Sequence, residues 1–225
     1  MNILIDVLPT SVEINDMEYE INSDFRTSIL FEILMQNDEI NDEEKILKSL
    51  ELYYDKMPHN LNEAINKIQW FYSGGKYLEG DNKSNKNKSS ENSSNTKVYD
   101  FNYDSEYIYA AFLDQYGIDL EEIDYLHWWK FKALFNSLKD DNKIVEIMGY
   151  RGVKLNTIKD DEQRKYYRKL QKIYALPISN NSENVQNALT EALKSGDIEA
   201  IEKLKRGWLY ERSKMPYLQS TFTKS

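Results

Sequence analysis

Asp124-Tyr125-Leu126-His127-Trp128-Trp129-Lys130-Phe131-Lys132-Ala133-Leu134-Phe135-Asn136-Ser137-Leu138 carries two of the chain's four tryptophans side by side in one helix-like run. At 100° per residue, Trp128, Phe131, Leu134, Phe135 and Leu138 share one arc, while Leu126, Trp129 and Ala133 fall on a second. Narrow polar seams, at Lys130 and at Lys132 with Asn136, separate the two. A helix apolar on so much of its circumference has to be covered from more than one side, by its own domain, by a partner, or by both. The stretch therefore predicts a central helix in a mainly α fold. Nothing around it resembles reaction chemistry.

Composition agrees with that class. At 225 residues the chain suits one or two domains and can bury a sizeable core. A hydrophobic fraction of 40% with 17 tyrosines argues for a folded protein, and 8 glycines with 4 prolines leave room for long helices. The absence of cysteine excludes disulfides and thiolate metal sites. The N-terminus has neither the basic region nor the apolar run of a signal peptide, and no stretch reaches the about 20 apolar residues of a membrane span. A cytoplasmic protein that engages no membrane is expected.

Charge is unevenly placed. Residues 1–78 carry 15 Asp/Glu against 6 Lys/Arg, a net of −9 that equals the whole chain's balance. Residues 150–176 carry 8 basic against 3 acidic side chains, a net of +5. An acidic front section repels nucleic-acid phosphates, and the basic run reads as a solvated helix face or a partner for that acidic section.

Working outward, Ser11–Ile14 and Met17–Ile21 alternate around Asn15-Asp16, a pair that tolerates left-handed backbone, and predict a β-hairpin. A further strand is expected at Ile3–Leu8. Ser23 or Asp24 caps a helix from about Phe25 to Gln36, whose apolar residues Phe25, Ile29, Leu30, Phe31, Ile33, Leu34 and Met35 nearly encircle it and predict deep burial. Asn41 or Asp42 starts a second helix with an acidic first turn and Ile46, Leu47, Leu50 and Tyr54 at helical spacing. A third runs from Asn60 or Asn62 to Tyr72 and stops at Gly74-Gly75. There Leu61, Ala64, Ile65, Ile68, Phe71 and Tyr72 form one arc, with Trp70 opposite.

Residues 79–97 hold no large apolar side chain and read as a disordered polar linker. Beyond it, Ser105–Tyr116 is an amphipathic helix closed by Gly117, and Lys143–Met148 a short helix ending at Gly149. Asp160-Asp161-Glu162-Gln163 opens a helix that turns Tyr166, Tyr167, Leu170, Ile173 and Tyr174 inward and its bases outward. Val185–Leu193 and Ile198–Trp208 form a helical hairpin joined at Gly196-Asp197. The expected architecture is thus a mainly α, multi-helix globular domain in two halves, 1–78 with the small N-terminal hairpin and 98–177. Linker 79–97 joins the halves, and a C-terminal helical hairpin or tail follows at 178–225.

The order of these segments resembles the bacteriophage gene-product-fifteen family, found in tail-assembly regions of long-tailed phages of Gram-positive bacteria. The matching stretches include Leu8-Pro9-Thr10 with its hairpin, Asp24-Phe25-Arg26 and Trp70-Phe71-Tyr72-Ser73-Gly74-Gly75-Lys76. Tyr99-Asp100-Phe101, Asp104–Leu120, Leu126–Leu138, Ile147-Met148-Gly149-Tyr150-Arg151 and Tyr166–Pro177 continue it, so the resemblance covers about residues 1–177. It implies a tail assembly chaperone, a non-catalytic factor of the host cell cytoplasm that holds the tape-measure protein and delivers it to the growing tail tube. The major tail protein and a second copy of the chain are further partners to consider. No catalytic residue, cofactor or metal ligand comes with the resemblance. The protein-binding residues expected from chemistry are Trp70, Trp128, Trp129 and Phe131, since aromatic side chains dominate binding hot spots.

Two other functions compete. For an enzyme, His59 and His127 are the only histidines and neither belongs to a metal-spaced cluster. No nucleophile elbow or phosphate loop appears, and carboxylate pairs are plentiful but unspecific in so acidic a chain. A nucleic-acid regulator would rest on the basic helix at 164–172, against a net charge of −9. A structural virion component, in the tail or connector, is the nearest rival to a chaperone.

Overall fold

The computed structural model describes residues 2–76 and 97–177. The linker expected at 79–97, all but Lys97, and the helical hairpin expected within 178–225 lie outside the described residues. The chain divides into two compact units: residues 2–76 with 124–129, and residues 97–123 with 130–177. The described residues are mainly α-helical, with one small antiparallel hairpin.

In the first unit, β1 (Ser11–Ile14) pairs with β2 (Met17–Glu20), Ile14 opposite Met17. Asn15 and Asp16 both take left-handed backbone, φ 48° and 59°, which matches the turn to the twist of the strands. Val12 and Ile14 are buried, while Glu13, Glu18 and Glu20 on the other face are exposed. No strand forms at 3–8. Asn2 and Asp6 close a local turn there, with Asp6 N donating to Asn2 O at 2.8 Å and Leu4 N to Asn2 Oδ1 at 3.0 Å. Short polar side chains offer that backbone an alternative to a ladder, and Leu4, Ile5 and Val7 are left exposed.

Three helices follow in this unit: α1 (Phe25–Met35), α2 (Asp42–Tyr53) and α3 (Leu61–Tyr72). Asp24, Asn41 and Asn60 cap them, each accepting a first-turn amide with its side chain. The six residues expected on the inner arc of α3 are the six that are buried. The expected encirclement of α1 does not occur. Its buried residues are Phe25, Thr27, Ser28, Phe31, Glu32 and Met35, and Leu30 is exposed. Polar residues turn inward because the facing helices present hydroxyls: Ser28 Oγ and Tyr53 Oη lie 2.9 Å apart, and Tyr72 Oη donates to Glu32 Oε2. Burial pushes the Tyr53 hydroxyl pKa up, against the lowering effect of the Ser28 bond, so Tyr53 stays neutral inside. Lys45 is also interior and donates to Met35 O at 3.1 Å, a cation set on the last carbonyls of α1.

The second unit holds α4 (Ser105–Tyr116), closed by Gly117 at φ 64°. It also holds the part of α5 (Trp128–Asn136) from Lys130 onward, α6 (Lys143–Gly152), a 3₁₀ turn (Leu155–Thr157) and α7 (Asp161–Ile173). The helix of the opening stretch thus begins at Trp128, four residues later than that stretch. Phe131 is the hub of the core: its ring stacks on Phe112 at 4.9 Å and meets Phe101 at 6.0 Å and Phe135 at 6.1 Å.

Gly149 does not end α6, which continues to Gly152. The extra turn places Arg151 inside the unit, with two bonds to Asp104 (2.6 and 2.9 Å), one to Val98 O (3.0 Å) and one to Tyr174 O (2.6 Å). The helix expected at 160–174 forms, capped by Asp160 through Gln163 N, but its inward face is only half-made. Tyr167, Leu170 and Tyr174 are half-buried, whereas Tyr166 and Ile173 are each 57% exposed. Among the described residues α7 packs on α6 and the 3₁₀ turn, too little cover for the whole arc.

Candidate functional site

The four aromatic residues expected to bind a partner occupy different settings. Trp128, Trp129 and Phe131 are 2%, 7% and 0% exposed, and Trp70 is half-buried. Trp128 Nε1 donates to Tyr72 O at 2.9 Å and Trp129 Nε1 to Phe71 O at 2.7 Å, so the paired indoles hold the last carbonyls of α3. Trp128 stacks on Tyr72 at 5.5 Å, and Trp70 meets Trp129 edge to face at 5.6 Å. Phe131 is the hub of the other unit. Trp128, Trp129 and Phe131 are too enclosed to offer a partner a surface in this conformation and hold the helices together, while Trp70 keeps part of its ring open.

The segment bearing the indoles is tied to the start of α1. Phe25 N donates to Leu126 O at 2.9 Å and Trp128 N to Ser23 O at 2.8 Å, a single antiparallel bridge centred on Asp24 and His127. His127 is buried: Nδ1 accepts from Trp129 N at 3.0 Å and Nε2 lies 3.0 Å from Pro9 O. A carbonyl only accepts, so the ring hydrogen sits on Nε2 and the histidine is a strut with both nitrogens engaged. His59 is exposed. Among the described residues no group of three or more His, Asp or Glu is placed to hold a metal, and no helix is long and apolar enough to cross a membrane.

Behind the indoles, Gly75 takes φ +79°, and a Cβ there would stand 2.7 Å from Trp129 Cη2. Gly74 has a similar φ of +82°, yet a Cβ there meets nothing within 4 Å. Gly74→Ala should therefore cost the backbone penalty alone, about 1–2 kcal/mol. Gly75→Ala should add ~1–3 kcal/mol of overpacking against the indole. Urea unfolding of the two variants side by side checks this; equal losses would mean that Trp129 does not press on the glycine.

The surface that sequence reasoning missed is the outer side of α1. At 100° per residue Arg26, Ile29, Leu30, Ile33 and Leu34 share an arc opposite the buried one. Leu30 is 52% exposed, and Ile29, Ile33 and Leu34 are half-buried. Four aliphatic side chains thus line an outward stripe whose one base, Arg26, pairs with Asp24 at 3.4 Å. The signal was present in the sequence: Ser28, Glu32 and Met35 share the opposite arc, and two of those three are polar. A second open surface is the basic side of α7, where Arg168, Lys169 and Lys172 are exposed beside Tyr166 and Ile173.

Among the described residues the chain is mainly helical, with one short hairpin, an aromatic interior and an aliphatic stripe turned to solvent. The family model described as Bacteriophage Gp15 protein matches residues 4–176, and the chain belongs to that family. No curated protein and no solved structure matches it.

Proposed function

We propose that this chain is a non-catalytic tail assembly chaperone that binds the tape-measure protein in the host cell cytoplasm and helps deliver it to the growing tail tube. Family membership supports a phage structural or assembly role. The observation that carries the finer reading is the outward stripe of Ile29, Leu30, Ile33 and Leu34 on α1. An aliphatic helix face left open on a strongly acidic unit suits a protein that shields an apolar helical client while keeping the complex dissolved. No cofactor or metal enters this mechanism.

The test is co-expression with the tape-measure protein of the same phage. The client should stay in the soluble fraction and co-purify with the chain, and should precipitate when expressed by itself. A client that precipitates equally with and without the chain would falsify the chaperone reading. Mass spectrometry of purified particles separates the rival: a transient factor is missing from the virion, whereas a tail or connector component is found there.

A further inference from the structure

We infer that the α1 stripe receives a cationic amphipathic helix, a client segment with an aliphatic face flanked by Lys and Arg. This identification rests on the chaperone reading and narrows it to a partner chemistry.

Two observations carry it. The stripe is helix-shaped: Ile29, Leu30, Ile33 and Leu34 sit at i, i+1, i+4 and i+5, the spacing by which one helix receives the side chains of another. The unit around it is acidic, with 15 Asp/Glu against 6 Lys/Arg in residues 2–76, a net of −9. Interior groups do not account for that sign, because buried Glu32 and buried Lys45 cancel. Along the arc itself the only cation, Arg26, is paired with Asp24, and exposed Asp38 and Glu39 follow the C-terminal end of α1. An acidic-flanked helix would meet like charge at Asp38 and Glu39 and in the net charge of the unit, and a neutral one would gain nothing from either. A cationic one gains attraction at its rim while its aliphatic face covers Leu30.

The test uses the full chain and two synthetic helical peptides with the same i, i+3, i+4, i+7 leucine face. One carries Lys and Arg on its flanks, the other Glu and Asp. Fluorescence anisotropy should show the cationic peptide binding at least tenfold more tightly than the acidic one, with affinity falling as salt rises. Leu30→Gln keeps the charge and the helix propensity, removes the most exposed aliphatic group of the stripe, and should weaken that binding at least tenfold while far-UV circular dichroism stays unchanged.

Equal binding of the two peptides, or wild-type binding by Leu30→Gln, overturns the inference. So does concentration-dependent self-association that Leu30→Gln abolishes, which would mean that a second copy fills the stripe. A tape-measure protein kept soluble by the chain in parallel, with no preference for the cationic peptide, leaves the chaperone reading standing and removes this one alone.

Discussion

Asp104→Ala should cost about 3–5 kcal/mol of folding stability, enough to unfold the second unit at temperatures the wild-type chain tolerates. Asp104 is fully buried and Arg151 nearly so. Their carboxylate and guanidinium meet at two points, 2.6 and 2.9 Å, and Asp104 Oδ2 also accepts from Asp100 N at 2.9 Å. Alanine leaves a buried guanidinium without its counter-charge, and desolvation of an unpaired ion outweighs the lost Coulomb attraction itself.

Arg151 also reaches Val98 O and Tyr174 O, so its displacement should loosen residues 97–100 and the C-terminal end of α7 together. Hydrogen exchange at those two places should rise with the fall in melting temperature. The double variant Asp104→Leu with Arg151→Met should recover much of the loss, because an apolar pair carries no desolvation penalty. A loss under about 1 kcal/mol in Asp104→Ala would mean that the pair is solvated and that α6 reaches Gly152 for another reason.

Most of the helical framework is legible from local rules, because those rules act within one helix turn. Asp24, Asn41, Asn60 and Asp160 each cap the helix they announce, and the 3.6-residue period picks out all six buried residues of α3. The hairpin follows from the alternation on either side of Asn15-Asp16 and from that pair's tolerance of left-handed backbone. Three readings fail where the deciding partner lies far along the chain. Ser28 and Glu32 turn inward to hydroxyls that come 25 and 40 residues later, and the aliphatic side of α1 turns outward as a result. Gly149 stays helical because Arg151 is drawn to a carboxylate 47 residues earlier. Tyr166 and Ile173 face solvent because amphipathicity states which side of α7 wants cover and is silent on whether cover exists. The same limit applies to the expected binding residues. A tryptophan's size and polarity suit a hot spot and a core equally, and only its neighbours decide between them.

Trp129→Ala decides it by experiment, and it should act on folding. The substitution removes an indole that touches Trp70, Phe71 and His127 at ring distances of 5.6 to 5.8 Å and donates to Phe71 O. A large cavity then opens beside Gly75, for a loss of about 3–5 kcal/mol. Trp129→Phe keeps part of the ring volume and should lose roughly half as much. At 7% exposure Trp129 has almost no area to give a client, so the fraction of Trp129→Ala that remains folded at low temperature should hold the tape-measure protein within about twofold of wild type. Leu30→Gln should show the reverse, an unchanged melt with poor client retention. If Trp129→Ala instead lost its client with the melting curve intact, the first unit would have to open on binding and expose its indoles. The contact would then pass from the outer side of α1 to the tryptophan pair.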